Sequence, residues 1–320
     1  MSSVSRVLSG HPDVSTPMRV RVLAAVNELG YEPDFLAQSL RRGATLSVGF
    51  VVGDISNPIM ADVALGAEQT LRAAGYSMLL MNSEGDPGQD ADHIRFFQSR
   101  RVDGMILSLA SERKRATVEA LLNVEAPVVV LDREVPARIG ASAVLSDHRS
   151  GMRAAVEYLL DLGHRRIALI TGSVDIRPVR ERLGGLRDAI AGRGIADQTI
   201  TMPGSLLAEH GQAATDDVLE LASPPTALIA GGNQVLIGCL RSLAGRSLRV
   251  GHDISLVTCD DVPLSELYPT PIATIWRDNV AIGRTAAELL LKRIVGQPPS
   301  TLILPTEFRP RSSCLPPSKT

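Results

Sequence analysis

The sequence predicts an α/β protein built of two doubly wound parallel-sheet lobes, with a small all-α segment ahead of them. Three observations carry this reading. The chain has 320 residues, more than one hydrophobic core usually serves, so two lobes and an appendage fit better than one domain. From residue 46 onward, short runs too apolar for half-exposed strands alternate with stretches long enough for crossover helices. The alternation then restarts near residue 166, which makes two sheets with a cleft where the carboxyl ends of their strands meet.

Taken in order, "SSVSRVLSG" at residues 2–10 places Val4, Val7 and Leu8 on one apolar stripe. "STPMRVRVLAAVNELGY" follows, with Ser15 as N-cap, Pro17 in the first turn and Gly30 as terminator. Val20, Leu23, Ala24, Val26 and Leu29 recur at near-helical spacing and give this helix an apolar face. "PDFLAQSLRRGAT" reads as a second, shorter helical piece running into a linker. Such small helices need neighbours to bury surface. The first lobe's strands are "LSVGFVV" (46–52), "SMLLMNS" (77–83), "DGMILSL" (103–109) and "PVVVLD" (127–132), with helical stretches at 59–75 and 89–100 between them. The second lobe's strands are "RIALITG" (166–172), "TALIAGG" (226–232) and "ISLVTCDD" (254–261), with helices near 179–193, 209–221 and 234–244.

Composition excludes several classes of function. A formal net charge of −2 does not advertise a polyanion partner for the chain as a whole. Neither a membrane-spanning apolar stretch nor the apolar run of a signal peptide occurs, and the expected compartment is the cytoplasm. Cys239, Cys259 and Cys314 lack CxxC spacing, which argues against a disulfide framework and a zinc site. The six histidines are scattered and HExxH, GxSxG and P-loop spacings are absent. Catalytic residues, metal ligands and cofactors are therefore not expected.

These segments resemble the LacI/GalR family of bacterial transcription regulators. Members usually show V-S-x-x-T-V-S-R-V-L and then V-S-x-x-T-R-x-R-V-L-x-A-I-x-E-L-G-Y-x-P, against "SSVSRVLSG" and "VSTPMRVRVLAAVNELGYEP" here. The likeness continues through "NPIMADVALGAEQTLRAAGY", "RRVDGMIL", "LGHRRIALITG", "RERLGGL" and "DISLVTCDD", so it covers essentially the whole chain. It implies a helix-turn-helix module with a hinge helix at residues 1–45 and a periplasmic-binding-protein-like effector domain at 46–320. Lobe 1 would comprise about 46–146 and 278–306, and lobe 2 about 147–277 and 307–320. The family's first helix would lie upstream of Met1, and the expectation is that Met1 is an internal methionine, with loss of DNA binding as the competing explanation.

By resemblance, the recognition helix would present Ser2, Ser3 and Arg6 to base edges in the major groove, where an arginine fork suits guanine O6 and N7. In the hinge, Leu40 would wedge into the minor groove of a palindromic operator, with Gln38 donating to its acceptors. Asp34 and Gln38 stand where the family usually has asparagine and arginine, which lowers the positive character beside phosphate. Across residues 1–45, five arginines against four carboxylates leave a net charge of only +1. A homodimer would double it.

For the cleft, the resemblance implies a small effector, a sugar or sugar derivative. Ile59, Met60 and Leu206 stand where aromatics often occur in the family, so stacking would fall to Trp276. Arg182, Asp260, Asp132 and Asn233 are the expected polar anchors, because a carboxylate and a guanidinium across a cleft suit vicinal hydroxyls. Arg177 and Arg180 read as surface residues. The alternative reading is a sugar-binding protein of the same fold without DNA binding.

Overall fold

The computed structural model describes residues 3–8, 12–30, 43–191, 193–194 and 198–317. It divides into two compact units, Met1–Leu46 and Ser47–Thr320. In the first, α1 (Ser3–Leu8) packs on α2 (Thr16–Glu28) through the buried Val7. Ser15 holds the N-cap position of α2 in extended conformation, but its side chain makes no cap hydrogen bond. Gly30 follows the helix at φ +58°, the left-handed turn that glycine adopts without strain. The described residues leave the apolar face of α2 uncovered: Val20 is 62% and Leu23 47% exposed, and none of the helix's residues is buried. Gln38 and Leu40, with the rest of the expected hinge helix, lie outside the described residues, as does Ser2.

The second unit holds twelve strands among the described residues: β1 (Ser47–Val52), β2 (Ser77–Asn82), β3 (Gly104–Leu107), β4 (Val128–Leu131), β5 (Ser142–Ser146), β6 (Ile167–Thr171), β7 (Thr199–Pro203), β8 (Ala227–Ala230), β9 (Ser255–Cys259), β10 (Ala273–Trp276), β11 (Thr301–Leu304) and β12 (Glu307–Arg309). Its helices are α3 (Pro58–Ala73), α4 (Pro87–Ser99), α5 (Arg115–Leu122), α6 (His148–Asp161), α7 (Arg177–Ile190), α8 (Ala208–Leu219), α9 (Asn233–Gly245), α10 (Pro263–Leu267) and α11 (Asn279–Ile294). One sheet runs β11-β5-β4-β3-β1-β2 and the other β12-β10-β9-β8-β6-β7. The two orders are the same, so β1 corresponds to β6, β4 to β9 and β5 to β10. In each the order reverses beside the first strand, the switch point at which α/β sheets bind ligands.

Side chains alternate across each sheet into two cores. Val48, Phe50 and Val52 face α3 and α11, whereas Val51, Met105 and Leu107 face α4 and α5. In the second lobe Leu169 and Val257 join the α6 and α7 core, and Ile170 and Leu256 the α8 and α9 core. Three departures from the sequence reading have physical causes. β2 is an edge strand, so Leu79 stays 40% exposed instead of buried. β5, β7, β10, β11 and β12 are added to the predicted strands. β12 pairs antiparallel with β10, because the chain leaves β11 in one sheet and enters the other within two residues.

The chain crosses between lobes at Ser146 to His148, at Trp276 to Asn279 and at Pro305 to Thr306, and the Thr306 hydroxyl donates to Asp147 O at 2.7 Å, tying the first crossing to the third. Among the described residues, no helix is long and apolar enough to cross a membrane.

Candidate functional site

The corresponding strands β4 and β9 end in the same way. Asp132 follows β4 at φ +49° and Asp260 follows β9 at φ +72°, both in the left-handed region that non-glycine residues rarely occupy. Each still extends the ladder, with Asp132 N donating to Val144 O at 2.8 Å and Asp260 N to Ile275 O at 3.1 Å. The backbone thus turns both carboxylates off the strand ends, at a local cost that the rest of the site must offset.

What joins them is Arg277, which follows β10 on the second crossing between lobes. Its Nε donates to Asp260 Oδ1 at 2.6 Å, and its Nη1 donates to Asp132 Oδ2 and, at 3.3 Å, to Ser146 Oγ. Asp132 is held further by the Ser146 N–H at 2.6 Å and hydroxyl at 3.1 Å. Burial pushes the Asp132 carboxyl up, but His148, Arg277 and the Ser146 N–H outweigh it and hold it well below the usual carboxylate range. Burial likewise raises Asp260, and Arg277 and Arg182 bring it below its ordinary value. The two carboxylates in turn raise Arg277 against its own burial. All three groups are ionised at neutral pH.

His148, first residue of α6, is 3% exposed, and its Nε2 lies 3.3 Å from Asp132 Oδ2 without hydrogen-bonding geometry. Burial, with Arg182 and Arg277 nearby, lowers its pKa from 6.5 to about 4. The unfolded chain therefore takes up a proton that the folded one refuses between these values. Stability present above pH 6.5 is lost as pH falls toward 4, with a slope of about 1.4 kcal/mol per unit from this group. Urea unfolding at pH 6.5 and pH 5 should differ by about 2 kcal/mol more in the unmutated protein than in His148→Asn. Equal slopes would show that His148 is not buried neutral.

Arg182, on α7, is 4% exposed, and its Nη1 donates to Gly231 O at 2.6 Å. Its Nε, the His148 Nε2 and the Thr171 Oγ1 at the end of β6 are buried and, among the described residues, have no hydrogen-bond partner. Leu206 sits over the ends of β6 and β8, where a Cβ on Gly172 or Gly232 would meet it at 2.7 or 3.3 Å. Asn233 opens α9 and donates to Asn57 Oδ1 at 2.8 Å across the cleft, while the same oxygen caps α3 by accepting from Ile59 N at 3.0 Å.

A second set of contacts lines the rim. Arg177 Nη1 donates to Ser146 O at 3.0 Å and its Nε to Glu134 Oε1 at 3.2 Å. Arg180 Nη2 pairs with the buried Glu112 and, at 3.2 Å, with Glu134. These two arginines were expected on the surface. The polar side of α7 instead faces the acidic residues of the opposite lobe.

The structure brings Asp132, Asp260 and Arg182 into one neighbourhood and sets Asn233 and Leu206 at its strand-end margins. Ile59 is buried at 1% exposure beneath the Asn57 cap, and Met60 packs against the first-lobe core. Trp276 precedes Arg277, but one face of its ring already carries the Arg309 guanidinium, 3.8 Å from the centroid. Sequence reasoning missed Arg277, His148, Thr171 and the rim acids. The available signal was an arginine directly after a short apolar run that itself went unrecognised as a strand. In the first unit, Ser3 opens α1 and Arg6 is exposed on it.

The model of the periplasmic binding protein-like domain matches residues 156–314, and that of bacterial regulatory proteins of the lacI family matches residues 1–34. The chain is 30% identical over 295 residues to the HTH-type transcriptional repressor PurR of Vibrio campbellii, covering 92% of this chain and 88% of that protein. It is also 30% identical over 295 residues to the ribose operon repressor of Escherichia coli, covering 92% and 89%. Among solved structures, the lac repressor dimer bound to operator and the anti-inducer ONPF superposes with a TM-score of 0.86 at 26% identity, over 98% of this chain and 94% of that one. A LacI family transcriptional regulator from Enterococcus faecium with bound ribose gives 0.76 at 27% identity, over 85% and 100%.

Proposed function

Because the chain belongs to the LacI family of bacterial regulatory proteins and is a DNA-binding transcriptional regulator, we propose that it is a repressor whose hold on a palindromic operator is set by a small sugar bound between its two lobes. Residues 1–45 are the DNA-binding module and hinge, residues 46–320 the effector domain, and two copies form the dimer that a palindrome requires. Ser2, Ser3 and Arg6 are assigned to base contact, and Gln38 and Leu40 to the minor groove. The reading places the protein in the cytoplasm, where its operator is, and gives the cleft no reaction to catalyse.

The observation that carries the effector assignment is a set of buried atoms without a hydrogen-bond partner among the described residues: Arg182 Nε and His148 Nε2, on side chains that both act on Asp260, and Thr171 Oγ1 at the end of β6. A buried polar atom left unpaired costs about 1 to 3 kcal/mol, and sugar hydroxyls, which both donate and accept, satisfy such atoms. The names of the relatives support the same class, since one is a ribose operon repressor and one neighbour holds ribose. Both halves of the lac-type module are represented here, which favours regulation over sugar binding alone.

A thermal-shift screen of pentoses, hexoses, polyols and sugar acids tests the assignment. Arg182→Ala and Asp260→Ala should each lose the stabilisation that a hit gives the unmutated protein. At a ligand concentration 100 times Kd that stabilisation is worth about 2.7 kcal/mol. A hit that stabilised both variants as strongly as the parent would move the site elsewhere.

A further inference from the structure

We propose that the cleft selects an uncharged ligand, and that Arg277 is the residue that makes it do so. The inference rests on the sugar reading above and narrows it. Four buried charged groups meet on the cleft floor: Asp132 and Asp260 from opposite lobes, Arg277 bonded to both, and Arg182 near enough to Asp260 to lower it. Two carboxylates and two guanidiniums cancel, and the two further arginines beside Asp132 have carboxylates of their own: Arg177, 4.0 Å from Asp132, pairs with Glu134 at 3.2 Å, and Arg133 acts also on Glu112 and Asp90. His148, which touches the same group, is uncharged at neutral pH. At the rim the two arginines of α7 are matched by Glu112 and Glu134.

The floor is therefore neutral before any ligand arrives. A polyhydroxylated ligand without charge adds hydrogen bonds and leaves the balance intact. An aldonate or sugar phosphate is drawn to the Arg182 Nε, but it brings a negative charge for which Asp260 already supplies the counterpart. Desolvating an uncompensated charge costs more than one extra hydrogen bond returns. Arg277 decides the sign: without it the two aspartates face a single guanidinium, and the site favours a cation. It is a positioning residue as well, since it alone among the described residues bonds the strand-end carboxylates of both lobes.

Thermal-shift titrations of the full chain measure this with D-ribose, D-xylose, D-glucose and D-galactose, each beside its aldonate and its phosphate ester. The readout is the ratio of anion Kd to parent-sugar Kd in the unmutated protein, in Asp132→Asn and in Arg277→Gln. The ratio should be at least tenfold in the unmutated protein. Asp132→Asn keeps the Arg277 bond to Asp260 and gives the floor one positive charge, so the ratio should fall at least tenfold there. Arg277→Gln, where it folds, should raise it. A ratio near one in the unmutated protein, or one unmoved by Asp132→Asn, overturns the proposal, as does an anion that binds where its parent sugar does not. If no compound of either kind binds, the sugar reading itself is contradicted.

Discussion

Arg277→Met is expected to cost the fold about 3 to 5 kcal/mol, because it removes one partner of a buried ion triad and strands the other two. Asp132 and Asp260 would then share the cleft floor with one guanidinium between them. Both carboxylates sit on backbone held in the left-handed region, and Asp132 is held in place further by the Ser146 N–H and hydroxyl. Their mutual repulsion moves the titration of one of them upward. Urea unfolding followed by far-ultraviolet circular dichroism measures the loss. Adding Asp132→Asn should restore part of it, since the amide needs no counter-charge. A cost under about 1 kcal/mol for Arg277→Met, within the range of a surface pair, would mean that the triad does not hold the lobes.

Gly283→Ala should cost at least as much as the upper end of the about 1 to 3 kcal/mol typical of overpacking. A Cβ at Gly283 would lie 1.8 Å from the Val63 carbonyl oxygen, and one at Gly66 would lie 2.1 Å from Val280 O. Helices α3 and α11 thus meet backbone to backbone, and a methyl group has no flexible neighbour to displace. The same device recurs between α6 and α7, where a Cβ on Gly185 would meet Arg149 O at 2.3 Å, and between α8 and α9, where one on Gly238 would meet Ala208 O at 2.1 Å. Helix propensity points the other way, since alanine is favoured over glycine by about 1 kcal/mol inside a helix. Gly245→Ala isolates that smaller term, because nothing lies within 4 Å of its Cβ position, and it should leave stability unchanged or slightly raised. Equal denaturation midpoints for the two variants would contradict the close approach.

The interior of both sheets was legible in the sequence because β1, β3, β4, β6, β8 and β9 are buried on both faces and appear as unbroken apolar runs. Of the strands that went unread, β11 is an exposed edge in which Ile303 is 62% open and β7 is half-covered and ends in proline. β5 and β10 are largely buried, but serines bound the short apolar run of the first and a threonine interrupts that of the second. Site residues followed the same division. Asp132 and Asp260 stand directly after readable strands, so their position at the cleft could be inferred from the chain. Arg277 follows an unreadable one, and its partners are 145 and 17 residues away. Nothing local marks such a residue, because its role exists only once two equivalent strand ends face each other. Arg177 and Arg180 were misread for a related reason: the polar side of an amphipathic helix is taken to face solvent, and here it faces the acids of the other lobe.

The central claim, that a sugar between the lobes governs operator binding, is tested most directly by fluorescence anisotropy. The full chain is titrated onto an operator selected from a randomised duplex pool, with and without the aldose that raises Tm. A coupling of about 1 to 3 kcal/mol, a change of roughly 5- to 150-fold in operator Kd, is expected in the unmutated protein, and none in Arg182→Ala. An operator affinity that the sugar leaves unchanged while it binds the cleft would contradict the account.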